Sequence, residues 1–413
     1  MRAGIGLRVR RSLARHALSS GVAVVSIALA CGLAVAVFSL RTQAERAFTE
    51  SRMGFDAVLG ARGSPLQLVL NSVFHLETSP GNLPWSMFEA IATNTLVKRA
   101  VPYVVGDSYR GHRIVGTFAG AFDHASAPRL RAGGRLFAAG AREAVVGAAV
   151  AEEAELERGA RFKPYHGLVN DAAAQHDEEF TVVGVLEATG GPADRAIWVP
   201  LEALYAMSGH VLRGAGEERR GVEAAGDRAN WEVSAVMLEL RSPQAGFALD
   251  QLVNKQGKVA TLAWPIATVM ADLFRKLGWA TRVLGFVAYL VVVVAAGTIL
   301  AAVSSAMNER RREMAILRAL GARRAGLSLG VVLESATLGA AGSILGLLVF
   351  AGLAGIAREI VRRQTGVALD PWVWHPVFAY APLGATALAS VAGAIPAVLL
   401  YRTDVATQLA STE

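Results

Sequence analysis

Four stretches of this chain are too long, too apolar and too empty of charge to belong in a water-soluble core. Ala17–Leu40 runs twenty-four residues without a charged side chain, and Val283–Met307 runs twenty-five. Leu327–Ala357 is interrupted only by Glu334, and Val377–Tyr401 by no charge at all. At about 1.5 Å per helical residue, each is long enough to cross a hydrocarbon core of about 30 Å. With no water there to satisfy the backbone, each must be helical. The composition agrees, since 53% of residues are hydrophobic and only 18% charged, which is apolar for a soluble domain. A cleaved signal peptide is the rival reading of Ala17–Leu40, but a signal core has about 7–15 residues, so the first run reads as an uncleaved anchor. Its ALAC, ending at Cys31, is similar to a lipoprotein cleavage box. The apolar run continues through Leu40, so this lone cysteine reads as a packed membrane residue.

The basic residues orient the four spans. Five arginines precede the first span, six lie between the second and third, and Arg402 follows the fourth; the connection between the third and fourth holds Arg358, Arg362 and Arg363. This bias places both termini and the second connection in the cytoplasm. The expected organisation is a cytoplasmic N-terminus (1–16), helix 1 (17–40), an outer domain (41–282), helix 2 (283–307), a cytoplasmic segment (308–324), helix 3 (327–357), a short outer loop (358–376), helix 4 (377–401) and a cytoplasmic tail (402–413). Helix 4 is read as kinked or terminated near Pro396. The net charge of +7 is absorbed by this membrane flanking, and no nucleic-acid-binding signature competes with it.

The outer region reads as mixed α/β. EAVVGAAVAEEAEL (Glu143–Leu156) is a strand turning into a helix, EFTVVGVLEAT and SAVMLELRS have strand character, and RAIWVPLEALYAM is strand, Pro200, then helix. The fold class is therefore a polytopic α-helical membrane protein with four transmembrane helices plus a large mixed α/β extracytoplasmic domain inserted between helices 1 and 2. Ile266, Val269, Met270, Leu273, Phe274 and Leu277 recur at helical spacing just before helix 2. They read as a stalk continuous with that span, with Arg41–Met53 extending helix 1 in the same way; the alternative is a helix packed on its own domain. Lys163–Glu179 and Gly209–Asn230 read as polar excursions. His166 and His176 share the first of these and are weak candidates for a divalent metal, because their spacing fits no dedicated site.

A basic segment between two apolar runs, MNERRREMAILRALGARR (Met307–Arg324), needs its own explanation. It has no helix breaker before Gly321. Met314, Ile316, Leu317 and Leu320 form an apolar face flanked by Arg310, Arg311, Glu313 and Arg318. Either it lies on the membrane surface against anionic lipid, or it is a docking helix for a cytoplasmic partner. No phosphate-binding loop occurs, since the stretch ending in NKQGKVAT (Asn254–Thr261) puts Leu252, two residues before it, where a glycine is required and Val259 where a hydroxyl residue is required. Any nucleotide must therefore be bound by another chain. HExxH is also absent from the sequence.

The segment NERRREMAILRALGARRAGLSLGVVLESATLGAAGSILGLL (Asn308–Leu348) resembles the FtsX-like permease signature of MacB-type ABC exporters and lipoprotein-releasing permeases. Arg310, Arg312, Glu313, Leu317, Gly321 and Ala322 match its R-x-R-E-x-x-x-L-x-x-x-G-A, and Glu334 its acidic position. AIPAVLLYRTDVATQLA is similar to the family's closing motif at Pro396, Ala397 and Leu409, but lacks its second proline. Gly133–Phe162 and Phe180–Leu204 resemble the MacB-type periplasmic core. The resemblance implies a non-catalytic permease subunit of a mechanotransmitting ABC transporter in the bacterial cell (inner) membrane. It would have no cofactor of its own, with ATP and Mg bound by a cytoplasmic ATP-binding subunit. A second permease protomer, a periplasmic adaptor or substrate protein, and membrane lipid are the other expected partners. On this reading Asn308, Glu309, Arg310, Arg311, Arg312, Glu313, Met314, Ile316, Leu317, Arg318, Leu320 and Gly321 form the ATPase-coupling helix. The alternative is a non-transporting signalling scaffold that activates an extracytoplasmic partner such as a cell-wall hydrolase.

The spans themselves carry little polarity. Glu334 is their one charged side chain, either a site in a polar path or a structural partner for basic groups near Arg323 and Arg324. Gly342 and Gly346 form a GxxxG, and Gly326 and Gly330 another, permitting close helix approach within the protomer or across a dimer.

Overall fold

The structure is a computed structural model that describes residues 15, 17–50, 54–167, 174–207, 211–214, 217–220, 228–309, 316 and 323–402. The chain divides into two compact units: a membrane-helix unit (Met1–Gln43, Leu277–Arg358 and Asp370–Glu413) and an inserted domain (Ala44–Lys276 with Glu359–Leu369).

Chain order through the inserted domain begins at the end of helix α1 (Ala17–Glu50). It continues with β1 (Ala57–Ala61), α2 (Pro65–Ser72), β2 (Leu83–Pro84), α3 (Trp85–Ala92), β3 (Val97–Tyr109) and β4 (His112–Thr117). Next come β5 (Glu143–Val146), α4 (Ala148–Glu153), β6 (Arg161–Phe162), β7 (Tyr165–His166), β8 (Phe180–Val185), β9 (Ala196–Pro200) and α5 (Leu201–Tyr205). The hairpin β10 (Val211–Gly214) and β11 (Glu217–Arg220) is followed by β12 (Glu232–Val233), β13 (Ala235–Leu240), α6 (Pro243–Asp250), β14 (Ala260–Ala263) and α7 (Ile266–Lys276).

One mixed sheet organises these elements in the order β14-β1-β13-β3-β4-β9-β5-β8-β6, with β7 added beside β3. The β4–β9 and β5–β8 pairs are parallel and the others antiparallel. Because neighbouring residues of a strand face opposite sides, β9 sends Trp198 and Ala196 into one apolar cluster and Ile197 and Val199 into another. Both faces of the sheet are therefore covered. The strands and helices read at Glu143–Leu156, Phe180–Val185, Ala196–Tyr205 and Ala235–Leu240 all occur.

Three features differ from the sequence reading. The amphipathic segment before the second span forms α7, but the helix breaks at Leu277. Ile266 and Met270 are fully buried in the domain core and Val269, Leu273 and Phe274 pack against it, so α7 is a core helix and not a free stalk. The two polar excursions contain ladder residues, β7 in the first and the β10–β11 hairpin in the second. Their pairing depends on partners remote in sequence or on a turn, so local composition hid it.

The membrane-helix unit contains the first part of α1, then α8 (Gly278–Glu309), α9 (Arg324–Thr365) and α10 (Val377–Arg402). All four helices are long and apolar enough to cross a membrane. Pro382 and Pro396 lie inside α10, which continues through both, so Pro396 does not terminate it. The Ser343 hydroxyl donates to the Pro382 carbonyl at 3.3 Å and the Ser328 hydroxyl to the Ala397 carbonyl at 3.3 Å. Both bonds run from α9 to α10 and satisfy serine hydroxyls across the helix contact. Large apolar side chains such as Leu29, Phe286, Val294 and Ile344 remain exposed on the outside of this unit, as lipid-facing positions do.

Candidate functional site

The basic segment is bounded by helix ends. α8 carries Asn308 and Glu309 on its last turn, and α9 begins at Arg324. Between them Ile316 is helical and exposed. Arg310, Arg311, Arg312, Glu313, Met314, Leu317, Arg318, Leu320 and Gly321 lie outside the described residues.

Glu334 is partly buried on α9. Ten residues after Arg324, it is about 15 Å along the helix axis from the start of α9. Gly342 and Gly346 face α1. A Cβ at Gly346 would stand 2.9 Å from the Ala28 carbonyl oxygen and 2.9 Å from Cys31 Cβ; one at Gly342 would stand 2.6 Å from Ile27 Cβ. Gly32 returns the approach, 2.7 Å from the Gly346 carbonyl oxygen by the same construction. The sequence left open whether this GxxxG packs within the protomer or across a dimer, and the geometry uses it within the protomer. Around Gly326 and Gly330 there is no atom within 4 Å of such a Cβ among the described residues. Two motifs of identical spacing thus have different surroundings.

The end of α9 and the residues after it are built into the inserted domain, where the sequence placed a short outer loop. Val367 is fully buried in the domain core and Val361 packs against it. The Ala368 amide donates to the Gly190 carbonyl at 2.9 Å. That turn is itself held by Asp194, whose carboxylate accepts from the Thr189 amide (2.9 Å), the Thr189 hydroxyl (2.8 Å) and the Gly190 amide (2.8 Å). Arg362 pairs with Glu359 at 3.1 Å and reaches Glu152 at 3.8 Å, while Arg195 reaches Glu153 at 3.8 Å. These pairs are partly solvated and individually weak. The hydrogen-bonded turn and buried Val367 are the stronger attachment.

Buried histidines shape the charge of the domain. Burial, reinforced by Arg113, pushes His75 down to about 4; burial, reinforced by Arg195, does the same to His112. His166 and His176, singled out in the sequence, come together with a residue that was not. The carboxylate of Asp107, on β3, lies 3.2 Å from His166 Nδ1 and 3.5 Å from His176 Nε2. Hydrogen bonding to Asp107 holds the His166 imidazole above its ordinary pKa. Asp107 lies some sixty residues upstream in a strand, and a pairing of β3 with β7 was the only signal that could have found it.

Comparison with known proteins bears on the whole chain. Residues 20–255 match the MacB-like periplasmic core domain and residues 285–405 the FtsX-like permease C-terminal region. Among solved structures, the extracellular domain of the noncanonic ABC-type transporter YknZ from Gram-positive bacteria is similar at 16% identity, covering 50% of this chain and 99% of that one, with a TM-score of 0.29. The periplasmic region of MacB from Actinobacillus actinomycetemcomitans is similar at 12% identity, covering 55% and 94%, with a TM-score of 0.32. No curated protein matches significantly. With more than half of the chain matched by the first region, and the second covering the last three membrane helices, this chain belongs to the family of ABC-type permeases that join an extracytoplasmic MacB-like core domain to an FtsX-like membrane region.

Proposed function

We propose that this chain is the permease subunit through which ATP hydrolysis on a separate cytoplasmic subunit moves the extracytoplasmic domain, driving export or extraction of a substrate by mechanotransmission. The observation that carries this reading is the course of α9. This one helix starts beside the basic segment and ends within the inserted domain, at Glu359–Thr365. Its 42 residues span about 63 Å at 1.5 Å per residue, twice a hydrocarbon core of about 30 Å. α1 likewise continues past the membrane run, and its Ala47 and Phe48 pack on the domain core. Helices that enter the domain as part of its core transmit displacement, whereas a flexible linker would absorb it.

In this mechanism 308–324 is the coupling helix, with Glu313 and Arg318 as its charged contacts to the ATPase. Both termini are cytoplasmic, ATP and Mg are bound by the partner, and two permease protomers assemble with two ATPase subunits. The scarcity of intramembrane charge supports a substrate that does not cross through the spans.

The test is affinity purification of the tagged chain from native membranes, with an ATPase assay on the eluate. It is repeated on a Glu313→Lys, Arg318→Glu variant. The expected result is a co-purifying ATPase that the variant loses. An ATPase-free complex from gently solubilised membranes would refute the coupling and move the scaffold reading forward.

A further inference from the structure

We propose that Asp107, His166 and His176 form a binding site for a divalent transition-metal ion, zinc in the first place, on the extracytoplasmic domain. Nothing in the permease mechanism requires such a site.

The ladder assembles the three side chains. Asp107 and His166 stand directly opposite each other where β7 adds to β3, the position at which cross-strand side chains lie closest. The chain then returns alongside β7: Tyr165 and Gln175 form a bridge, and the His176 amide donates to the Pro164 carbonyl at 2.9 Å. The turn after His166 is clamped as well. The Ser108 hydroxyl donates to the Gly167 carbonyl at 2.6 Å, and the Gly167 amide donates to the Gly106 carbonyl at 2.9 Å. Two histidines ten residues apart and a remote aspartate are thus fixed by backbone pairing and not by their own side chains.

The geometry suits a tetrahedral ion. Zinc takes imidazole nitrogen at about 2.0–2.1 Å and carboxylate oxygen at about 2.0–2.2 Å, which sets a ligand-to-ligand edge of about 3.3–3.4 Å. The two edges from Asp107, 3.2 and 3.5 Å, bracket that length. All three ligand atoms lie within 4.8 Å of one another. The remaining edge closes by movement of the His166 ring, whose side chain is 61% exposed. Asp107 is fully buried and His176 nearly so, so the carboxylate and one imidazole are held while the other opens to solvent as an entry path. A buried carboxylate needs a counter-charge. An imidazolium supplies one with a single ring, whereas a metal ion draws on both rings in their neutral form. Two imidazoles and one carboxylate are borderline ligands, favouring zinc over calcium or magnesium. Three protein ligands leave one position for water or a further ligand.

The full chain is purified in detergent through a tag without histidines and stripped with chelator. It is then equilibrated with micromolar Zn2+, desalted and analysed for bound metal; Co2+ is used in parallel for its coordination spectrum. The expected result is stoichiometric Zn2+ on the wild type and a tetrahedral Co2+ spectrum. Both are expected to fall to background in His166→Gln and His176→Ala and to persist in His375→Ala. His166 is exposed, so its variant keeps the fold, which elution and circular dichroism check. Failure of the folded wild type to retain Zn2+, or retention unchanged in His166→Gln, overturns the proposal.

Discussion

Gly346→Ala and Gly352→Ala are expected to change stability in opposite directions, although both add one methyl group to the same membrane helix. At Gly346 the new carbon would lie 2.9 Å from the Ala28 carbonyl oxygen, 2.9 Å from Cys31 Cβ and 3.2 Å from the Gly32 amide nitrogen. Two of these three atoms are backbone and the third is the first atom of a side chain, so no rotamer change relieves the clash. Ordinary heavy-atom contact is about 3.5–4.0 Å, so α1 and α9 must separate by roughly 0.5–1 Å, which forfeits a quarter to a half of the dispersion energy of neighbouring contacts. Overpacking of this kind costs about 1–3 kcal/mol. At Gly352 no atom of the described residues stands within 4 Å of the added carbon. There the substitution only restricts the unfolded chain, a gain of about 0.4–1 kcal/mol. The two variants should therefore differ by roughly 1.5–4 kcal/mol. Equilibrium unfolding of the full chain in mixed micelles by SDS titration, followed by circular dichroism, measures that difference. If Gly346→Ala proves as stable as Gly352→Ala, the close approach of these two helices is wrong.

Two further predictions concern the inserted domain. His75 is buried and kept neutral, with its pKa lowered from 6.5 to about 4. Its stabilisation is complete above pH 6.5 and is lost as pH falls towards 4, because the unfolded chain takes up the proton first; the loss is about 3 kcal/mol. Thermal melts across that window should fall less steeply in His75→Asn, a substitution that tolerates the positive φ of 56° at this position; an unchanged slope would refute the assignment. Asp194→Ala removes the acceptor of the Thr189–Gly190 turn, at a cost of about 2–3 kcal/mol for bonds to a buried charge. Amide exchange at Gly366–Leu369 should accelerate with it, and unchanged exchange there would show that the turn does not hold the segment.

The parts of the fold legible in the sequence are those encoded by periodicity or by freedom from charge. Ala17–Leu40 and Val283–Met307 announce membrane helices because burial in lipid tolerates almost no other composition. The short, strand-prone apolar runs Phe180–Val185 and Ala235–Leu240 announce strands in the same way. The amphipathic pattern of Ile266–Leu277 correctly showed a helix with one apolar face, but a pattern says nothing of what covers that face. Phe48, which packs against Phe274, and the core around Phe74 cover it, so α7 belongs to the domain.

The same division holds for candidate sites. GxxxG at Gly342–Gly346 and at Gly326–Gly330 is one spacing with one meaning in sequence, and only the position of α1 separates the packed pair from the open one. His166 and His176 look like chance loop residues until β7 joins β3 and sets Asp107 against them. Arg362 and Val367 read as parts of a short outer loop, yet they tie the end of α9 into the inserted domain. Local composition determined the solvent each segment needs, and hence the four spans and the α/β domain between them. Which segments meet depended on pairings across tens to hundreds of residues, because hydrogen-bond ladders and close helix contacts are properties of two segments and neither encodes its partner alone.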